Sequence, residues 1–312
     1  MDQALWNLTF SPPQVIEARV LTRIPDAFRA KRRTQWADAN KPGHEVDSFL
    51  EGPSFDREGN LYVTDIPFGR IFRISPRLEW TLAAQYDGWP NGIAIHRDGS
   101  LWIADYRRGL LRLEPKAQAP QPILGHRNSE SFRGLNDLTF DADGQCYFTD
   151  QGQTGLHDPT GRVYRLRTSG ALDLVVCGVP SPNGVALDAQ GKALFIAVTR
   201  ANQVWRGPLL ADGSVSKVGA FRTFFGTSGP DGMAVDADNR LVVAHASLGG
   251  AFVLNARGEV THFVKSPVGS TVTNVAYRPG TSRLVMTESE TGTILEAELP
   301  AAGAPLYSHL PG

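Results

Sequence analysis

Cysteine is nearly missing from this 312-residue chain, with Cys146 and Cys177 the only two. That scarcity argues against a disulfide-stapled fold or a cysteine-held zinc site. Both lie in strand-like patterns and are expected as buried free thiols. No apolar run approaches the ~20 residues that a bilayer-spanning helix needs, and helical periodicity is absent over any length. Charge of one sign is lacking too: 31 Lys+Arg against 32 Asp+Glu give a net charge of −1. No sequence-wide field therefore draws the chain to nucleic acid or to an anionic membrane. The short basic cluster Arg29, Lys31, Arg32 and Arg33 reads as a solvated turn. The start, Met1-Asp-Gln-Ala-Leu-Trp-Asn7, has no basic n-region and no apolar h-region. No signal peptide is expected, the expected location is cytoplasmic, and Asn7-Leu-Thr9 has no meaning as a glycosylation acceptor without secretion. The seven histidines show no H-x-H or H-E-x-x-H spacing. There is no G-x-S-x-G elbow, P-loop or G-x-G-x-x-G after a strand, which argues against a serine hydrolase.

What the chain does contain is one short pattern, six times over. The copies begin at Glu51, Asn91, Asn136, Asn183, Asp231 and Thr273, spaced 40, 45, 47, 48 and 42 residues apart. Asn183-Gly-Val-Ala-Leu-Asp188 and Asp231-Gly-Met-Ala-Val-Asp236 are typical. Gly follows shortly after most copies, then an apolar strand such as Asn60-Leu-Tyr-Val-Thr-Asp65. A repeat of this length, made of alternating strands and Gly-rich turns, predicts an all-β fold. It is a six-bladed β-propeller with four antiparallel strands per blade. The whole chain, 1–312, is then one propeller domain, with the repeats over 48–300 and residues 1–47 as a closing strand and cap. Gln14 to Thr22 is strand-like and is expected to close the last blade, removing two exposed edges. Pro25 to Asp47, with Phe28 and Trp36, is expected to lie over one face. Inserts at 125–133 and 151–160 should shape the mouth of the channel.

Equivalent positions in successive blades form rings about the axis. The first ring is Glu51, Asn91, Asn136, Asn183, Asp231 and Thr273, all oxygen donors with two carboxylates. A hard divalent cation takes such donors. Turn chemistry accounts for any one Asn-Gly or Asp-Gly but poorly for Glu51-Gly-Pro53. It also leaves charge facing charge in a channel. Glu51, Asn183 and Asp231 are the expected metal ligands. A second ring at the strand ends holds Asp65, Asp105, Asp150, Val198, His245 and Glu288. Asp65 and Asp105 read as backbone-bonding residues, and the other polar members stay open. Trp89, just before Asn91, and Phe132-Arg133, just before Asn136, are placed to touch a small molecule. His157 is either a mouth residue or a plain loop histidine.

These residues carry a resemblance to the family of senescence marker protein, gluconolactonase and luciferin-regenerating enzyme, over about residues 50–300. Its fingerprints here are L-E-G-P-S-F-D in blade one, L-N-D in blade three, S-P-N-G-V-A in blade four and G-P-D-G-M-A-V-D in blade five. Glu51-Gly-Pro with a long N-terminal segment looks more like the drug-responsive bacterial lactonases than the animal protein. The resemblance implies one divalent metal on Glu51, Asn183 and Asp231, with Asp231 also the general base and Asn136 touching substrate. It implies hydrolysis of a lactone, sugar or less polar, by carbonyl polarisation and base-activated water. Asn91, Trp89, Arg133 and His157 are further substrate-contact candidates. Ca2+ is the first choice of metal, with Zn2+, Mn2+ and Fe2+ left open. The partner is a small-molecule lactone, with no nucleic acid and no membrane, and the protein is a monomer or homodimer. One departure stands out: sugar-lactone members often carry Arg where this chain has Gly134, with Arg133 one step back. That leaves room for a less polar lactone. Two rivals remain open. One is another metal-dependent reaction on the same site (isomerase, lyase or phosphotriester hydrolase). The other is a non-catalytic NHL-like binding propeller.

Overall fold

Each repeat folds into one antiparallel sheet, and six such sheets surround one axis in this computed structural model, which describes residues 12–310. The stretch Met1–Asn7 and the Asn7-Leu-Thr9 motif lie outside the described residues. Blades one to six span residues 50–85, 90–124, 135–179, 182–223, 230–265 and 272–298. Every inner strand touches the next, and that of blade six touches that of blade one, so the ring is closed. The burial gradient follows from this geometry. Blade one's inner strand, Leu50–Phe55, is wholly buried, whereas its outer strand, Trp80–Gln85, is mostly wet.

The core is a set of six wedges, one in each gap between blades. Ile71 and Ala84 of blade one meet Ile93, Ile103 and Leu111 of blade two. Blade six meets blade one through Val285 and Ile294 against Leu50, Phe55 and Phe72. Hydroxyls clip the same gaps near the axis: Thr64 donates to the Asn91 carbonyl at 2.8 Å and Thr149 to that of Asn183 at 2.7 Å.

Both ends of the six-residue pattern have a mechanical role. The last residue caps the turn between the first two strands. Asp56, Asp141, Asp188 and Asp236 each accept a backbone N–H four residues on, for example Asn60 at 2.8 Å. The first residues sit at a break in the ladder. In blades two to five the inner strand slips register across Asn91, Asn136, Asn183 and Asp231. Such a bulge frees a residue from pairing and re-aims its side chain.

Three expectations need correction. The N-terminal strand is two strands. Gln14–Glu17 runs parallel to Val260–Lys265 as a fifth strand of blade five, and Arg19–Arg23 pairs antiparallel with Thr293–Glu298 to complete blade six. Residues 14–17 therefore do not belong to the last blade. The switch happens at buried Ala18, whose N–H donates to the Lys265 carbonyl. Cys146 is buried and free, but Cys177, also free, is exposed because it lies on an outer strand. Arg29 is not a solvated turn residue; it donates to Asp47 at 2.7 Å, and Arg32 stacks over Phe68.

Removing residues 1–25 takes away blade six's outer strand together with Ile24 of the blade six–one wedge. Scanning calorimetry should show the melting temperature down by at least ~10 °C, and an unchanged value would refute the closure. Gly184 tests the axis itself. A Cβ there would lie 2.3 Å from the Asp231 carbonyl and 3.0 Å from the Gly232 Cα. Gly184→Ala should cost about 1–3 kcal/mol by overpacking, read from urea midpoints, and a neutral result would mean that the inner strands are not held rigidly.

Candidate active site

The bulged starts of the inner strands bring Glu51, Asn91, Asn136, Asn183 and Asp231 to the wall of one cavity of about 290 Å³. Thr273, the sixth ring member, is not in that wall. Its hydroxyl is buried against Leu50 O, Thr287 and Ser289 and serves the blade six–one joint. A larger cavity, about 390 Å³, opens between blades three and four and holds none of these residues. Its buried Arg165 is already paired with Asp173 at 2.6 Å, so it presents no unmet chemistry.

Glu51 is buried, and its Oε2 accepts from Gly52 N and Asn274 Nδ2, each at 2.8 Å. Burial pushes its carboxyl upward from the ordinary value, and those hydrogen bonds pull the other way. Asp231 is pushed well up by burial, then by the charges of Glu51 and Asp137, with the Asn183 hydrogen bond opposing. Among the described residues neither Glu51 nor Asp231 has a Lys or Arg within ion-pair distance. No group of three His, Cys, Asp or Glu is arranged there to hold a metal, so a cation would depend on amide oxygens as well. Two buried carboxylates beside Asn183, all oxygen, with no cation in direct contact and only the longer-range charge of Arg200 acting on Asp231, fit a hard divalent cation.

A second tier lies one residue further along each inner strand. Four of its six positions are Gly, and blades three and six carry Asp137 and Asn274 instead. Asp137 Oδ1 would lie 2.4 Å from a Cβ on Gly92, and Asn274 Oδ1 1.9 Å from one on Gly232. Glycine in the neighbouring blade makes room for each. Burial and then the Glu51 charge raise Asp137 to about 7. Sequence reasoning missed this tier, although the two breaks in the Gly column were its signal.

The other walls come from outside the repeats. Trp36, Asn40 and Lys41 belong to the cap, where helix Gln35–Asn40 is started by Thr34 accepting from Ala37 N at 3.0 Å. Trp36 packs tilted against Phe49 with centroids 4.5 Å apart, and Trp89 meets Tyr106 at 5.8 Å. From the 151–160 insert, Gln151 accepts from Asn136 Nδ2 at 2.9 Å and donates to Ser181 at 3.0 Å. Arg133 and His157 are outside the cavity wall. Arg133 gives its backbone N–H to Asp150 at 2.7 Å and turns its guanidinium toward Asp158, and His157 is exposed on the insert. Asp65, Asp105, Asp150 and Glu288 all accept backbone N–H groups of adjoining turns. His245 is buried, bonded to Asn202, and lowered by burial to about 4.

The Gly134 departure has a local cause. Its φ is +151°, and a Cβ there would fall 2.7 Å from the Tyr106 ring. An arginine cannot occupy this place unless Tyr106 leaves the wall.

The profile described as "SMP-30/Gluconolactonase/LRE-like region" matches residues 49–290. Over 278 residues the chain is 28% identical to lactonase drp35 of Staphylococcus aureus, covering 82% of each. Among solved structures it is similar to a gluconolactonase from Xanthomonas campestris, with TM-score 0.73, 20% identity, and 90% of this chain and 99% of that one covered. It is also similar to regucalcin, a calcium-binding protein from Agrobacterium tumefaciens, with TM-score 0.73, 19% identity, and 95% and 99% coverage. At those identities the two structures speak to the fold alone. The profile runs from just before Glu51 to just past Glu288, across all six repeats, and the chain belongs to the SMP-30/gluconolactonase/LRE-like family.

Proposed function

We propose that this protein is a lactonase that hydrolyses a small-molecule lactone, with one divalent cation, calcium, held by Glu51, Asn183 and Asp231. The observation that carries the reading is the pair of buried carboxylates lining the same cavity as three asparagine side chains. Family membership and the similarity to a lactonase over most of the chain support it.

When bound, the cation supplies Lewis-acid polarisation of the lactone carbonyl and stabilises negative charge developing on its oxygen. The chain's own residues do the rest. Asp231 accepts the proton of the attacking water, as a general base held by rigid inner strands. The water oxygen bonds to the carbonyl carbon, the ring C–O bond breaks, and the proton passes to the departing alkoxide. The product is a hydroxy acid whose carboxyl proton is released to solvent, leaving the hydroxy-carboxylate, so atoms balance without a redox cofactor. Asn136 has its amide nitrogen engaged by Gln151, which leaves its oxygen to orient the substrate. Asn91 and Trp89 complete that side, and Tyr106 packed on Gly134 makes the wall flatter and less polar than an arginine would.

The wild-type protein should hold one divalent cation per chain after dialysis, by elemental analysis. Glu51→Gln and Asn183→Ala should each lose it. Stoichiometric metal retained by Asn183→Ala would show that the ligand set is wrong.

For Asp231→Asn, an amide oxygen still faces the cation but the proton acceptor is gone. Turnover of γ- and δ-lactones, followed by proton release, should fall by about 10²–10⁴-fold in kcat. Excess cation should not restore it. Full recovery on adding cation would reduce Asp231 to a ligand only.

A further inference from the structure

Two cations line the cavity without a carboxylate in direct ion-pair contact, and the charge of one of them, Arg200, reaches Asp231 at longer range. Lys41, half-buried just after the cap helix, and Arg200, exposed at the turn that follows blade four's second strand, both reach its wall. Among the described residues, neither lies within 4.0 Å of a carboxylate. The Lys41 ammonium instead sits 4.9 Å above the Phe49 ring. Glu288 and Glu290 act on it only at longer range, and both are committed elsewhere. Glu288 accepts from Glu290 N and Thr291 N at 3.0 Å, and Glu290 from Ser270 N at 3.0 Å. Desolvating a lysine without pairing it is unfavourable. Lys41 thus stands in the cavity wall with an aromatic face as its contact and no carboxylate paired with it.

We propose that the lactone carries an anionic substituent, a carboxylate, which Lys41 binds, with Arg200 biasing the mouth toward anions. The inference rests on the lactonase reading and adds the substrate's chemical class. Lys41 stands on the cap beside blade one, and Arg200 on blade four, which is opposite blade one in a ring of six. One carboxylate therefore contacts Lys41 while Arg200 acts through its field. A ring with its carbonyl toward Asn183 and Asp231 would share the cavity with Trp36 and Trp89, which are both in its wall.

Two matched pairs of probes test this. The first pair are lactones, 5-oxotetrahydrofuran-2-carboxylate and neutral γ-valerolactone, compared by kcat/KM. The second pair are ketones that cannot be opened, 3-oxocyclopentane-carboxylate and 3-methylcyclopentanone, compared by quenching of tryptophan fluorescence. A charge-assisted contact predicts a preference of about tenfold to a hundredfold for the carboxylate in both pairs. Lys41→Met should collapse that ratio toward one, Lys41→Arg should keep most of it, and Arg200→Met should weaken it mainly at low salt. Equal ketone affinities in the wild type, or a ratio unchanged in Lys41→Met, would overturn the inference even if both lactones are opened. If neither lactone is opened while the ketones are still discriminated through Lys41, the lactonase reading fails and the anion site stands.

Discussion

Two buried carboxylates that share one axis set the terms for the rest of the molecule. Glu51 and Asp231 come from blades one and five, and the charge of each disfavours ionisation of the other. In a low-dielectric interior that repulsion is strong unless a cation or proton offsets it. A flexible scaffold would relieve it by letting the strands part. Here they cannot part, because each inner strand is pinned by an apolar wedge on either side and the last wedge joins blade six to blade one. Arg19–Arg23 matters to the site for this reason, although it is remote in sequence. It completes the outer edge of blade six, so the ring of sheets holds the crowded donors in place. Crowding held by rigid packing is what makes a site preorganised.

The part of this that the sequence exposed is the part that repeats. Periodic spacing exposes six blades, and the first residue of five of the six copies supplies an axial donor, because a propeller maps equivalent positions onto one ring. The capping aspartates Asp56, Asp141, Asp188 and Asp236 lie inside the same pattern, but a lone Asp before a turn does not by itself show which backbone N–H it accepts. What stayed hidden was whatever breaks the repeat. Thr273 has the right oxygen in the right column, yet its hydroxyl bonds Leu50 O and leaves the cavity. Asp137 and Asn274 replace glycine in a column whose role is to admit a neighbour's side chain. The split at Ala18 depends on which edge is nearest in space, and spacing along the chain does not encode that. Arg133 and His157 sit near the mouth in sequence, but their side chains turn away from the cavity. Loop conformation is set by local hydrogen bonds such as Arg133 N to Asp150, which no periodicity announces.

The same division separates chemistry from selectivity. Every axial donor stands on an inner strand, where movement would open a wedge of the core. The surfaces that would touch the rest of a substrate do not. Trp36 and Lys41 belong to a cap with its own small cluster, in which Trp36, Val46, Ile66 and Phe68 pack together. Gln151 belongs to an insert tied to the frame by Thr154 and Ser181. Ser181 adopts a φ of +66°, a left-handed conformation uncommon for a residue with a Cβ. The turn that presents Asn183 is thus held by tertiary contacts against local preference. Such segments can change without disturbing the ring, since little of the core depends on them. Gly134 illustrates the exchange: removing a side chain at one loop position admits the Tyr106 ring, and the wall changes from polar to aromatic with the axis untouched. Within one propeller frame, the proposed selectivity therefore falls to wall residues that do not repeat, and in this chain those include the aromatic Trp36 and Tyr106 and the cationic Lys41 and Arg200.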